Sequence, residues 1–367
     1  MLTDSRIAKM ADVLVTYSLG VQPGWTVPIV GSTAAQPLIY HVYKRVIEEG
    51  GHPYVFVEPP GLRELLLRHG SYEQLTKTDP YQLHMVQYSD AILRISSATN
   101  TRELSSVGPA QQALLQKGYA PIGAGFMQRI ADGRPHCLTL FPTEAYAQDA
   151  EMSLREFEEF VFRGCLLDGE GDPIERWKEM SRMQQRIVDW LAGKRQVHVE
   201  GPDIDLRVSI EERTFVNSDG KRNFPSGEVF TSPLEDTVEG HIAFSYPASY
   251  NGRTVQGVRL VFEGGRVVEH SAEQGEEFLS EMLKVDDGAS KMGEFAIGTN
   301  PGIDRVTRIV LFDEKIAGTI HCALGNAYPN AGGTNKSAIH WDMVTDMRRG
   351  RITVDGETLY ENGEFVI

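Results

Sequence analysis

Residues 26–58, TVPIVGSTAAQPLIYHVYKRVIEEGGHPYVFVE, carry the pattern that decides the fold of the first half of the chain. An apolar run at 26–30 is followed by a turn, a helical stretch to about Glu49 and a second apolar run at 54–58. Such an alternation predicts a β-α-β unit whose two strands are parallel.

The same alternation continues on both sides of this unit. Residues 4–19 have apolar side chains at helical spacing, which predicts an amphipathic helix. An apolar run at 91–96 is followed by a helix near 107–117 and a further strand near 136–141. We therefore predict a doubly wound α/β domain for the first half.

A helical segment closes this half. One helix is expected after Ser153, which has capping-box spacing with Glu156, and another after Asp172. The second of these runs to about Leu191 and ends where basic residues and glycine suit a helix C-terminus.

After residue 195 the apolar period becomes two, with Asp-Gly, Asn-Gly and Gly-Gly turns between the runs. One helix, expected over 272–284 with Ser271 as its cap, interrupts these strands. We predict two domains, an α/β scaffold over 1–195 and a β-rich α+β metal-binding domain over 196–367.

Composition excludes several classes of protein. The 367 residues include 51 acidic and 36 basic side chains, a formal net charge of -15, which repels nucleic acid. Three widely spaced cysteines provide neither a disulfide framework nor a metal-binding CxxC pair, and no window reaches the ~18 apolar residues of a membrane span. We expect a cytoplasmic protein with no membrane partner.

Histidine and carboxylate side chains are concentrated in the second half, in four segments. These are Glu228 in NFPSGEVFTSP, Glu294 in KMGEFAIGTNPGI, His321 with Tyr328 in GTIHCALGNAYPNAGG, and His340 with Asp342 in AIHWDMVTDM. Nitrogen and oxygen donors of this kind bind catalytic zinc, manganese or cobalt. In a strand, His340 and Asp342 project from one face and Trp341 from the other, so the pair can chelate one ion.

Taken one at a time, these residues have ordinary structural explanations. Glu228 is also typical of a solvated strand, and His321 of a hydrogen-bonded core histidine. The set points to a site because glycines flank several members. Gly227, Gly293 and Gly298 mark positions where the backbone turns tightly or approaches another group closely.

The motifs GEVFTSP, GEFAIGTNPGI, HCALGNAYP and HWDM, in this order and spacing, resemble the thermophilic metallo-aminopeptidase family of the aminopeptidase T and aminopeptidase S type. The resemblance covers about 120 residues motif by motif. It implies leucyl aminopeptidase activity, a two-domain build and a homodimer that admits short peptides to an internal cavity.

The resemblance also assigns roles. Two divalent ions per chain (Zn, Co, Mn or Mg) are implied, and their ligands are Glu228, Glu294, His321, His340 and Asp342. The implied catalytic residues are Tyr328 and Glu294. Two ions about 3.5–4 Å apart activate a water and polarise the scissile carbonyl. Either glutamate could bridge the ions, Glu294 is the better general base, and Tyr328 would stabilise the oxyanion.

Two other functions are compatible with parts of the pattern. A related group of mononuclear iron ring-cleaving dioxygenases shares the HxD pair but does not keep the full two-metal set. A non-catalytic dimeric binding module could retain the fold without turnover. The presence of both glutamates together with His321 favours the aminopeptidase.

Overall fold

A computed structural model describes residues 4–250 and 252–367. The chain packs into two compact units. The first runs to Glu175 and also includes Gly220–Phe224, and the second comprises Arg176–Asp219 and Pro225–Ile367.

The helices of the described residues include long and short members. They are α1 (Ser5–Asp12), α2 (Gln36–Glu48), α3 (Leu62–His69), α4 (Tyr72–Thr76), α5 (Pro80–Tyr88), α6 (Pro109–Ala131), α7 (Glu144–Asp149), α8 (Leu154–Gly164), α9 (Pro173–Leu191), α10 (Glu276–Met282) and α11 (Val310–Asp313). A π-helical segment, Val13–Ser18, continues α1, and short 3₁₀ turns occupy Thr33–Ala35 and Pro329–Ala331.

The strands are mostly short and lie mainly in the second unit. They are β1 (Thr26–Ser32), β2 (His52–Glu58), β3 (Ile92–Ser96), β4 (His136–Leu140), β5 (Gln196–Gly201), β6 (Ile204–Ser209), β7 (Val216–Ser218), β8 (Asn223–Phe224), β9 (Glu228–Thr231), β10 (Glu239–Ala243), β11 (Ala248–Tyr250), β12 (Arg253–Val255), β13 (Arg259–Glu263), β14 (Arg266–Ser271), β15 (Met292–Gly298), β16 (Thr319–Gly325), β17 (His340–Asp346), β18 (Arg351–Val354), β19 (Glu357–Glu361) and β20 (Glu364–Phe365).

The first unit contains a five-stranded parallel sheet in the order β2-β1-β3-β4-β8. The predicted β-α-β unit is confirmed, because β1 and β2 pair in parallel and α2 connects them. The helix expected near 107–117 is longer than predicted and continues through Pro121 to Ala131. The chain thus has the parallel-sheet α/β domain that the sequence predicts.

The second unit is built from two large antiparallel sheets and the two-stranded antiparallel sheet β11-β12. Eight strands form one sheet in the order β14-β13-β10-β6-β5-β18-β19-β20, and five form the other in the order β17-β16-β15-β9-β7. Side chains from both sheets and from α9 and α10 share one apolar core. The β-rich character of the second half is therefore confirmed.

The division between the units falls at the start of α9, whereas the sequence pattern placed it after that helix, near 195. Ile187 and Leu191 of α9 are buried in the core of the second unit. The apolar face of α9 predicts that the helix packs against a core. It does not predict which of the two units provides that core.

The helix expected over 272–284 is shorter than predicted, and Ser271 does not cap it. Ser271 belongs to β14, where it pairs with Arg259. The helix begins after Gly275, whose φ of 80° ends the extended segment. Every helix in the described part of the chain is too short or too polar to span a bilayer.

Candidate metal centre

One face of the five-stranded antiparallel sheet β17-β16-β15-β9-β7 carries the predicted ligands. Strand alternation places Glu228 on β9, Glu294 on β15, His321 on β16, and His340 and Asp342 on β17 toward the same side. The alternate residues, among them Phe295, Cys322 and Trp341, are buried in the apolar core on the other side. The predicted opposition of Trp341 to the His340–Asp342 pair is confirmed.

Small residues separate the ligands on this face. Ala323 lies opposite Glu294 on β15 and opposite Asp342 on β17. Ala296 lies opposite His321 on β16 and opposite Phe230 on β9. The small side chains leave room above the sheet for groups that the carboxylates and imidazoles could bind.

The ligand atoms form overlapping groups, in each of which all atoms lie within 4.8 Å of one another. One group is Glu228, Glu294 and His321, and another is Glu294, His340 and Asp342. Glu294 belongs to both, because its carboxylate lies 3.7 Å from Nε2 of His321 and 3.1 Å from Nε2 of His340.

Several of these buried atoms lack hydrogen-bond partners among the described residues: Oε2 of Glu228, both ring nitrogens of His321 and Oδ1 of Asp342. An unsatisfied buried polar atom is costly, and a buried ring with neither nitrogen satisfied is rarer still. Bound divalent cations would satisfy the carboxylate oxygens and one ring nitrogen of His321. The donor set therefore fits a metal centre of mixed nitrogen and oxygen ligands.

His340 is oriented by the backbone. Its Nδ1 lies 2.8 Å from the carbonyl oxygen of Asn326. A carbonyl can only accept, so Nδ1 carries a hydrogen, and Nε2, which faces Glu294 and Asp342, is the nitrogen that a metal would bind in place of a proton. Imidazoles that bind metals are commonly oriented in this way.

The charges of the cluster favour a cation. Burial opposes ionisation of Glu294 and Asp342, but the facing imidazoles outweigh it and lower the pKa of both carboxyls. Burial likewise opposes protonation of the imidazoles, yet the carboxylates raise the pKa of His321 to about 9 and that of His340 well above its usual range. Without a metal, protons on the imidazoles offset the carboxylate charge.

Sequence reasoning missed two charged residues at this site. Glu314 forms a third group with His321 and Asp342, its ligand atom also within 4.8 Å of theirs. Lys315 is fully buried and forms ion pairs with Glu228, at 3.6 Å, and with Glu314. A sequence signal for these residues is the triplet Asp313-Glu314-Lys315, which lies between two apolar runs. Charges in such a position are costly to bury without partners, so they indicate an ion-paired cluster.

Tyr328 lies at the solvent side of the cluster. Its hydroxyl is 3.4 Å from Nε2 of His340, and its ring packs against Phe230 with centroids 5.2 Å apart. The side chain is 37% exposed. Desolvation, followed by the charge of Glu294, raises the pKa of the phenol, which therefore keeps its proton at neutral pH.

The segment after Tyr328, residues 330–337, is tied to its surroundings by hydrogen bonds. Thr334 donates to Glu235 through its amide and hydroxyl. Asn335 donates to the carbonyls of Gly288 and Gly325, and Ser337 donates to Asp286. These bonds hold the chain that connects Tyr328 to His340.

The predicted close approach of backbone at the flanking glycines is confirmed. Gly227 has a φ of 121°, and a Cβ there would lie 2.6 Å from Cβ of Asn300. A Cβ at Gly298 would overlap the carbonyl oxygen of Ile316. At Gly227 and Gly298 the backbone therefore lies in close contact with Asn300, which follows β15, and with Ile316, which follows α11.

Buried carboxylates and imidazoles gathered on one sheet face are the donor set of a metalloenzyme. Residues 3–365 match the family described as thermophilic metalloprotease (M29), and the chain belongs to that family. It is accordingly a metallo-aminopeptidase, a hydrolase of the exopeptidase type.

Named relatives cover most of the chain. Aminopeptidase 2 of Geobacillus stearothermophilus is 30% identical over 99% of this chain and 98% of its own length. Aminopeptidase T of Thermus aquaticus is 32% identical over 70% and 68% of the two chains, respectively.

Two solved structures share the fold. Wild-type AmpT from Thermus thermophilus superposes with a TM-score of 0.86 at 24% identity, covering 99% of each chain. A 2,5-dihydroxypyridine dioxygenase from Pseudomonas putida KT2440 has a TM-score of 0.62 at 15% identity, covering 98% of this chain and 96% of its own. At these identities the likeness concerns the fold alone.

Proposed function

We propose that the protein removes the N-terminal residue of short peptides with two divalent ions, bound by Glu228, Glu294, His321, His340 and Asp342. The observation that carries this proposal is the membership of Glu294 in two ligand groups, one with Glu228 and His321 and one with His340 and Asp342. Glu294 would therefore help to hold both ions.

Bound divalent ions supply Lewis acidity, which acidifies water and polarises a carbonyl oxygen. The residues of the chain then provide the remaining steps. Glu294 stays ionised and accepts the proton of the attacking water, which it returns to the leaving amine. Tyr328 keeps its proton and donates a hydrogen bond to the oxygen of the tetrahedral intermediate.

The substrate would approach on the Tyr328 side, where Tyr328 is exposed and His340 and Asp342 are partly buried, whereas Glu228, Glu294 and His321 are buried. The net charge of -15 favours the approach of a peptide with a free, cationic α-amine.

We propose that the active form is a homodimer in the cytoplasm. Strand β2 lies at the edge of its sheet, and Tyr54, Val55, Phe56 and Val57 on it are all more than one-third exposed. A second copy would cover such an apolar edge. The three cysteines are buried and widely spaced in the sequence, which suits a reducing compartment. Sedimentation of wild type and Phe56→Lys tests the dimer, since loss of assembly in the variant is expected.

The central test is release of an N-terminal residue from a panel of aminoacyl anilides. Chelation should abolish the activity, divalent metal should restore it, and metal analysis should find close to two ions per chain. Activity that survives complete metal removal contradicts the proposal. An oxygen electrode in the same assay tests the alternative of a ring-cleaving iron enzyme, which would consume oxygen with one iron per chain.

A further inference from the structure

Lys315 is a buried cation that the proposed mechanism does not use. Its side chain is completely shielded from solvent. The ammonium group lies 3.6 Å from Oε1 of Glu228 and forms a close ion pair with Oε1 of Glu314. Burial of a charge is tolerated only with such partners, so the position of the ammonium and the positions of both carboxylates depend on one another.

The ammonium group faces two carboxylates, those of Glu228 and Glu314. An ammonium is a compact point charge with three donors and no acceptor, and it therefore attracts carboxylate oxygens and repels metal ions.

The backbone places Lys315 against the strand that carries Glu228. The amide of Asn300 donates to the carbonyl of Lys315 at 3.0 Å. The side-chain amide of the same Asn300 donates to the carbonyl of Ser226 at 2.7 Å. Gly227, which allows the close approach to Asn300, immediately precedes Glu228. One buried asparagine thus connects the lysine to the first ligand of the cluster.

This arrangement gives the two oxygens of Glu228 different environments. Oε1 faces Lys315, whereas Oε2 lies 3.5 Å from Nε2 of His321 and has no hydrogen-bond partner within the described residues. We propose that Lys315 is a positioning residue, which occupies Oε1 of Glu228 and so directs Oε2 alone toward the metal position beside His321. The inference rests on the proposed function in that metal must bind at these residues.

The test compares the full-length wild type with Lys315→Met, each stripped of metal and reconstituted with Co²⁺. Visible absorption reports the coordination of the cobalt, and competition with a chelating dye reports its affinity. Loss of the ammonium also removes its repulsion of the metal, but we expect the misplacement of Glu228 to outweigh this effect. Lys315→Met should therefore bind cobalt about 10–100-fold more weakly, as when other groups that orient ligands are removed, and show an altered cobalt spectrum. A wild-type spectrum and affinity in the variant overturn the proposal.

Lys291→Met is the matched control. Lys291 also pairs with a carboxylate, Asp236, at 2.7 Å, and its side chain is mostly buried. Its removal should leave the cobalt spectrum and affinity unchanged, and an equal effect of both lysines overturns the assignment to Lys315. If Lys315→Met does not fold, Lys315→Gln decides, because it keeps a polar donor without the charge. A loss of affinity of tenfold or more in Lys315→Gln supports the proposal, and a smaller loss overturns it.

Failure of this inference is distinguishable from failure of the proposed function. A wild type that binds no cobalt contradicts the metal centre itself. A wild type that binds cobalt beside a variant that binds it equally well contradicts only the role of Lys315.

Discussion

The carbonyl oxygen of Asn326 accepts a hydrogen bond from Nδ1 of His340, at 2.8 Å. The bond separates two roles of the imidazole, since Nδ1 anchors the ring and Nε2 faces the carboxylates. An asparagine at position 340 keeps a donor near the place of Nδ1 and removes Nε2.

We therefore expect His340→Asn to fold like the wild type and to lose metal binding and activity. A lost ligand removes several kcal/mol of transition-state stabilisation, which corresponds to a rate loss of more than about 100-fold. Circular dichroism, metal analysis and an anilide assay check the three expectations. A folded variant with full metal content contradicts the role assigned to Nε2.

Bulk at Ala323 should interfere with the ligands and not with the core, because its side chain lies between Glu294 and Asp342. Ala323→Val is expected to bind less metal than the wild type. Its midpoint of denaturant unfolding, measured without metal, should change little. The adjacent Leu324 points into the core, and Leu324→Ala should cost about 2–5 kcal/mol of stability with metal content retained. Denaturant unfolding and metal analysis on both variants distinguish the two faces, and identical behaviour contradicts the strand alternation at this site.

Tyr328→Phe should act on the chemical step. The ring and its packing on Phe230 remain, whereas the donor to the oxyanion is lost. We expect kcat to fall about 10²–10³-fold, the usual effect of losing one such donor, with metal affinity unchanged. Steady-state kinetics check this, and a change confined to KM would assign the hydroxyl to substrate binding.

Metal removal should destabilise the protein. The cluster holds several ionised carboxylates in a buried site, and a cation bound only by the native state stabilises that state by mass action. Metal at a hundred times its dissociation constant should contribute about 2.7 kcal/mol per site. Thermal unfolding with and without chelator measures the difference, and coincident midpoints contradict a site formed by the folded state.

A pH effect is expected at His136 of β4, in the first unit. Burial, followed by the charge of Arg222, lowers the pKa of His136 from 6.5 to about 4. A lowered imidazole pKa means that the folded state prefers the neutral ring, so stability is full above pH 6.5 and falls as the pH drops toward 4. Since the ring is partly exposed, the loss is about 1–2 kcal/mol. Urea unfolding at pH 7 and pH 5 should show a smaller difference in His136→Gln than in the wild type.

Period and spacing were sufficient for much of the architecture. The alternation within 26–58 predicts the parallel pair β1–β2, and a period of two predicts that His340 and Asp342 share a face. Both features are local, because each depends on residues close together in the chain.

The missed features depend on tertiary packing. Glu314 and Lys315 form a charged triplet with Asp313 in the sequence, but only the fold brings Lys315 to Glu228 and to its ion pair with Glu314. Likewise, the shared membership of Glu294 in two groups of ligands depends on the register among β15, β16 and β17.

The short strand β8 limits how the protein can be divided. The chain returns to the first sheet for Gly220–Phe224, where β8 pairs with β4 and the hydroxyl of Thr139 donates to the carbonyl of Phe224 at 2.6 Å. A fragment beginning at Arg176 would carry the buried Phe224 without the strand that receives it. The ligand-bearing half therefore does not correspond to one continuous segment of the chain. A chimera of two relatives joined at a single point near Arg176 would pair β8 of one protein with β4 of the other.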